Sequence, residues 1–215
     1  LQGGVVDVFS NNFAFAALKA DGSVITWGDV DAGGNSNSVT SSLQGGVLEV
    51  FSSDRAFAAL KEDGSVVTWG DAGKGGDSST VASQLSEGVL QVFPISYAFA
   101  ALEDNGSVVT WGESANGGDS TSVASDLTNG VEEVFSTDFA YAALSNNGLL
   151  VTWGNSLYGS NSSTVSSQLS GGVSRVFSNA YAFAALKEDG NVVTWGNAVR
   201  GGDSSRVARQ LASGV

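Results

Sequence analysis

Ala56-Phe57-Ala58-Ala59-Leu60-Lys61-Glu62-Asp63-Gly64-Ser65-Val66-Val67-Thr68-Trp69-Gly70 is the stretch that decides the fold. Two apolar runs flank Asp63-Gly64, a strong short-range signal for a β-hairpin, because Gly adopts the positive φ that tight turns demand. Residues 56–60 and 65–69 are therefore expected to pair antiparallel. Side chains alternate along a strand, so Phe57 and Ala59 share one face, and Ala56, Ala58 and Leu60 the other. Val66, Val67 and Trp69 also divide between faces. Strands that are apolar on both faces predict a small sheet packed between two others. The alanines permit close approach, and the aromatic rings fill the remaining space.

The same stretch recurs every 42 residues, so that Trp27, Trp69, Trp111, Trp153 and Trp195 are evenly spaced. The repeats run 1–42, 43–84, 85–126, 127–168 and 169–210, and 211–215 (LASGV) reads as the start of a sixth. A fixed period of this length marks a propeller, a solenoid or a related array. Each repeat opens Leu-x-x-Gly-Val followed by x-x-Val-Phe-Ser, as in Val47 to Ser52, which suits a short strand. After Trp-Gly comes a polar stretch, Asp71 to Gly76, and then Asp77 to Leu85. There, Asp77 or Ser78 is a candidate N-cap, Val81 and Leu85 are spaced i, i+4, and Gly88 is a candidate stop. One or two helical turns are expected, with an outer fourth strand as the competing reading.

Three strands plus an outer short helix or strand make one blade of a β-propeller. The expected fold is all-β with short helical turns, a propeller of five 42-residue blades forming a single repeat domain over residues 1–215. The alternative is a stacked β-solenoid or rod. Open solenoids need terminal caps with a polar outer face. Here the first and last repeats keep the apolar pattern of the middle ones. Either the ring closes on itself, which is the preferred expectation, or other copies cover the ends. The expected core includes Phe9, Phe51, Phe93, Phe135, Phe177 and the five tryptophans.

The hairpin phrase resembles the core of the regulator-of-chromosome-condensation repeat, in which an apolar strand, a Gly turn and a Trp-Gly ending recur in a propeller. It resembles more closely the tandem Asp-Gly-Ser-Val-Val-Thr-Trp-Gly arrays of large, poorly characterised marine microbial proteins, often presumed to lie at the cell surface. The resemblance covers all five repeats and implies a fold rather than an activity. The eukaryotic family usually has longer repeats, seven blades and a His in the hairpin strand. This chain has none of these, and nothing in it matches that family's exchange-factor surface, so nucleotide exchange is not carried over.

Net charge is −13, with only nine Lys and Arg against 22 Asp and Glu. An acidic surface repels phosphate backbones and argues against binding nucleic acid or anionic membranes. No apolar run approaches the roughly 20 residues of a membrane helix, and the residues given hold no signal-peptide pattern. The chain begins with Leu and contains no Met, as expected of a processed product or an excised piece. Ser, Gly, Asn and Asp fill the non-core positions while Lys is scarce. That balance favours a secreted or cell-surface acidic protein.

The chain contains no Cys and no His. That removes thiol chemistry, imidazole ligands and any Ser-His pair. Serines follow the repeat and read as turn and cap residues. The carboxylates Asp7, Glu49 and Glu133, and Asp29, Asp71 and Glu113 after Trp-Gly, are the plausible acid–base groups. A glycosidase needs two carboxyls in different environments, whereas near-identical repeats supply similar ones. No enzymatic activity and no cofactor are therefore expected. Asp29, Asp31 and Asn35 have the alternating oxygen spacing of a calcium loop, but the terminal Glu is missing. A solvated acidic loop is preferred there. Asn105-Gly106-Ser107 and Asn161-Ser162-Ser163 match the glycosylation pattern, which is frequent by chance.

Variation among the copies says more. Net charges by repeat are −3, −3, −6, −3 and +2, and Arg175, Lys187, Arg200, Arg206 and Arg209 make the last repeat basic. A basic end and an acidic end suit head-to-tail contact. The loop after Trp-Gly varies most, and loops on repeat scaffolds commonly carry binding. Candidate binding residues are Asp29, Asp31, Asp71, Lys74, Glu113, Asn116, Leu157, Tyr158 and Arg200, with Leu157 and Tyr158 the most contact-prone. The function expected is a structural or self-assembling scaffold whose partners are its own copies or extracellular protein or glycan. A ligand-binding propeller is the alternative.

Overall fold

The computed structural model describes residues 4–212. They form five three-stranded antiparallel sheets, one per repeat, each with its strands in chain order. The strands of the second sheet are Val47–Ser52, Ala56–Lys61 and Val66–Gly70. The described chain divides into two compact units: the first runs to Asp104 and includes Val109–Ser114, and the second takes Asn105–Val108 and the residues from Ala115 onward. Three sheets lie in the first unit and two in the second.

The expected hairpin is present in every repeat. In the second sheet Ala56 pairs with Gly70, Phe57 with Trp69 and Leu60 with Val66. The turn is a three-residue loop rather than the tightest type. Lys61 N–H donates to the Ser65 carbonyl and Gly64 N–H to the Lys61 carbonyl, each at 2.9 Å. Gly64 alone in the loop takes positive φ, at 75°. A mirror-image two-residue turn would require Asp63 to do so as well. Asp63 instead accepts from the backbone N–H and the hydroxyl of Ser65. The freed Gly64 carbonyl then accepts from Val89 N–H at 3.0 Å, tying this hairpin to the first strand of the next repeat.

The outer element is helical, not a fourth strand. Ser79–Val81 and Gln84–Ser86 are single 3-10 turns, and they anchor buried Leu85. Asp77 accepts from Ser79 N–H, while Ser78 is diverted into a 2.9 Å hydroxyl pair with Thr68. Turns this short have no stability of their own and lean on the sheets.

Sheets pack face to face by one recurring scheme. Ala14, Ala16, Leu18 and Val24 of the first repeat meet Leu43, Val47, Val50, Phe57, Ala59 and Trp69 of the second. The equivalent sets unite the second and third sheets, and the fourth and fifth. The expected core needs two corrections. Phe9, Phe51, Phe93 and Phe135 are only half-buried, and Phe177 is 48% exposed. Four tryptophans are buried, but Trp27 is 45% exposed. Of the proposed overhang, 213–215 lies outside the described residues. Leu211 accepts from Val192 N–H at 3.0 Å.

Candidate binding site at the Trp-Gly loops

Each Trp-Gly step leads into a small built loop. Gly70 has φ 110°, and a Cβ there would stand 2.7 Å from the Arg55 carbonyl oxygen, so only Gly lets the chain turn. The next residue caps a single 3-10 turn. Asp29 accepts from the N–H groups of Asp31 and Ala32, Asp71 from Gly73, and Asn155 from Leu157. A second positive-φ Gly, such as Gly75 at 103°, ends the turn. The carbonyl of that Gly receives the indole N–H of the following repeat. Trp69 donates to Gly33, Trp111 to Gly75 and Trp153 to Gly117 at 3.1 Å, and Trp195 to Gly159 at 2.9 Å. Each Trp also stacks on the Phe or Tyr opposite it in its hairpin, with centroids 5.2–5.3 Å apart.

In the first unit the loop residues form ion pairs. Arg55 Nε lies 3.3 Å from Asp71 Oδ2, and its guanidinium sits 4.6 Å from the Phe13 ring centre. Lys74 Nζ lies 2.6 Å from Glu113 Oε1 and 3.9 Å from the Tyr97 centroid. In the second unit neutral and aromatic groups take their place. Asn155 donates to Asn116 at 2.9 Å. Tyr158 stacks on Tyr181 at 5.3 Å and meets Phe139 edge-on at 4.6 Å. Arg200 lies 3.9 Å above Tyr181. Leu157 stands 68% exposed beside this ladder.

Most of the candidate loop residues are thus engaged within their own unit. Lys74, Glu113 and Asn116 bridge neighbouring loops, Asp71 pairs with Arg55 of its own repeat and caps its own turn, and Asp29 caps its own. Asp31 is exposed, and Asn35 spends its oxygen on the Asn37 N–H. Sequence reading missed the residue preceding Ala-Phe-Ala: Phe13, Arg55, Tyr97, Phe139 and Tyr181. It supplies the surface on which the loop cations and Tyr158 rest. The signal was available, since four of these five evenly spaced positions are aromatic.

Exposed carboxylates are tuned by their own turns. Hydrogen bonds from Ser23 lower Asp21 to about 2. Bonds from Ser65, Ser79, Thr121 and Ser205 lower Asp63, Asp77, Asp119 and Asp203 in the same way. Groups held ionised like this act as turn caps.

No protein-family model matches the sequence, and no curated protein matches it. Solved structures do. Yeast RCC1 (Prp20), crystallised bound to Kap60, superposes with TM-score 0.55 at 17% identity over 89% of this chain and 56% of its own. Prp20p from Saccharomyces cerevisiae, reported with its binding to Gsp1p and histones, gives 0.53 at 16% identity over 89% and 57%. Human WBSCR16 gives 0.51 at 20% identity over 91% and 62%. The fold is an RCC1-like β-propeller. The sheets are its blades, and the chain spans about three-fifths of the length of these propellers. At such identities the likeness establishes the fold alone.

Proposed function

We propose that this β-propeller chain is a non-enzymatic repeat scaffold of an extracellular or cell-surface protein, acting through contacts with its own copies. One observation carries the reading: most polar side chains of the Trp-Gly loops and hairpin turns are committed to holding blades and turns. The Trp-Gly loops join neighbours through Lys74–Glu113 and Asn155–Asn116. The lowered aspartates cap turns, and Asp29, Asp71 and Asn155 cap the loops. The acidic composition, rich in Ser, Gly, Asn and Asp and poor in Lys, fits an extracellular setting. Electron microscopy of the purified protein tests this directly. Ordered assemblies are expected; dispersed particles that hydrolyse glycans would overturn it.

A second reading has its own observation. Leu157, Tyr158, Tyr181 and Arg200 present an exposed apolar side chain, stacked rings and a cation together, as a protein or glycan contact requires. A glycan array probed with wild type and with Tyr158→Ala distinguishes it, since binding lost in the variant would assign the loops a ligand.

A further inference from the structure

The two glycosylation patterns of the sequence lie in different settings. Asn105-Gly106-Ser107 closes a hairpin packed against the next repeat. A Cβ on Gly106 would stand 2.7 Å from the Gly130 nitrogen, and Val131 N–H donates to the Gly106 carbonyl. Asn161-Ser162-Ser163 lies in the turn that joins the fourth Trp-Gly loop to its outer element, and Asn161 and Ser163 are both exposed.

That turn is built alike in every repeat. Asn35, Asp77, Asp119, Asn161 and Asp203 are 42 residues apart, and each accepts from the backbone N–H two residues on, at 2.9–3.1 Å. The Thr121 hydroxyl donates to Asp119, and the Ser163 hydroxyl to Asn161 Oδ1, each at 2.7 Å. The cap therefore needs one oxygen. Where three repeats carry a second carboxylate oxygen, Asn161 carries Nδ2, which has no hydrogen-bond partner among the described residues. Asn35 is also an amide, but Asn37 offers it no hydroxyl. Of the five turns, only the fourth joins an exposed amide to a hydroxyl two residues on. The chain on both sides is clamped, because the Thr152 hydroxyl lies 2.8 Å from the Ser160 carbonyl oxygen and 3.0 Å from Ser162 Oγ.

Resting on the extracellular reading, we propose that Asn161 is the acceptor of an N-linked glycan. The donor class is a sugar carried on a lipid diphosphate. Asn161 Nδ2 attacks the anomeric carbon of that sugar and a C–N bond forms. The bond from that carbon to the diphosphate oxygen breaks, and the diphosphate leaves with the electron pair. The proton lost from the amide passes to a base of the transferring enzyme. The product keeps Oδ1, so the turn cap survives the modification. The Asp-bearing repeats show that the cap does not use the amide nitrogen, which is therefore free for this role.

Peptide mass spectrometry of the chain secreted from an N-glycosylating eukaryotic culture tests the site. Sugar is expected on Asn161, removable by peptide-N-glycosidase. Asn161→Asp installs the cap of the other repeats, so it is expected to keep the melting temperature of wild type and to lose the sugar. Ser163→Ala keeps the backbone bond and is expected to lose the sugar, whereas Ser163→Thr is expected to retain it. A folded, secreted wild type bare at Asn161 would overturn the proposal. Sugar on Asn105 alone, or sugar on Asn161 that persists in Ser163→Ala, would overturn it too. The extracellular reading fails by a separate measurement, namely fractionation that finds the protein inside the cells that make it.

Discussion

The first and second blades carry the same strand, Ala-Phe-Ala-Ala-Leu-Lys, yet Phe57 is wholly buried and Phe15 is 43% exposed. Trp69 and Trp27 differ in the same way. Their hairpins share one register, and their ring pairs one stacking distance. The difference is therefore not local. Each buried Phe–Trp pair is assembled by its own hairpin but covered by the repeat before it, through a left-handed Gly and its carbonyl. Hairpin formation is set by local sequence, and burial by packing between repeats.

The largest effect should separate these links. Trp111→Ala removes a buried indole, its stack on Phe99 and its bond to Gly75, and is expected to cost about 3–5 kcal/mol in urea unfolding. Trp27→Ala, measured at low concentration, is expected to cost under about 1 kcal/mol, in the range of exposed sites. Equal losses would break the comparison, because they would show Trp27 to be covered in solution.

The next effect isolates the glycine. Ala at Gly201 must adopt φ 112° and meets only the movable Asn179 amide at 3.2 Å, while Ala at Gly75 must adopt φ 103° and displace the Phe99 ring from 2.5 Å. The first is expected to cost about 1–2 kcal/mol of backbone strain. The second should add about 1–3 kcal/mol of overpacking. Thermal unfolding of the pair would show whether ring contact or backbone conformation explains the repeated Gly.

How much of this was legible in the sequence follows the same division. The hairpin could be read from Asp63-Gly64 and the flanking apolar runs, because turn and strand are local. The blade followed from apolar residues on both faces of Ala56 to Leu60. The burial of Trp27 and Phe177 could not be read so, because repeats that look alike are treated alike, whereas burial depends on a neighbour. The Lys74–Glu113 and Tyr158–Tyr181 contacts were hidden for a related reason. They join residues 39 and 23 positions apart, and no single repeat contains both partners.

A smaller effect is expected at the loop ion pair. Lys74 and Glu113 are about a quarter and a third exposed, so Lys74→Ala should cost about 0.2–1 kcal/mol despite the 2.6 Å contact. Raised salt should erase most of that difference. Tyr158→Ala, which removes a stacked ring rather than a screened charge, should keep its effect in salt, and chemical denaturation at two ionic strengths would check both.

The finest distinction lies in the hairpin turns, where the first two blades use Asp21 and Asp63 and the fourth uses Asn147. All three accept from the backbone N–H two residues on, at 3.0 Å. Only the aspartates titrate. Their folded values lie below the ordinary carboxylate value of 3.8, with Asp21 at about 2, so their ionised form favours the folded state. That contribution is fully present above about pH 4 and fades as pH falls from there toward 2. Both groups are solvent-exposed, so the effect per turn is small. Asp21→Asn with Asp63→Asn should leave the melting temperature near pH 7 little changed, since Asn147 already serves in this geometry. The double variant should lose less stability than wild type between pH 4 and pH 2. Parallel acid profiles would show that ionisation of these carboxylates does not favour the folded state.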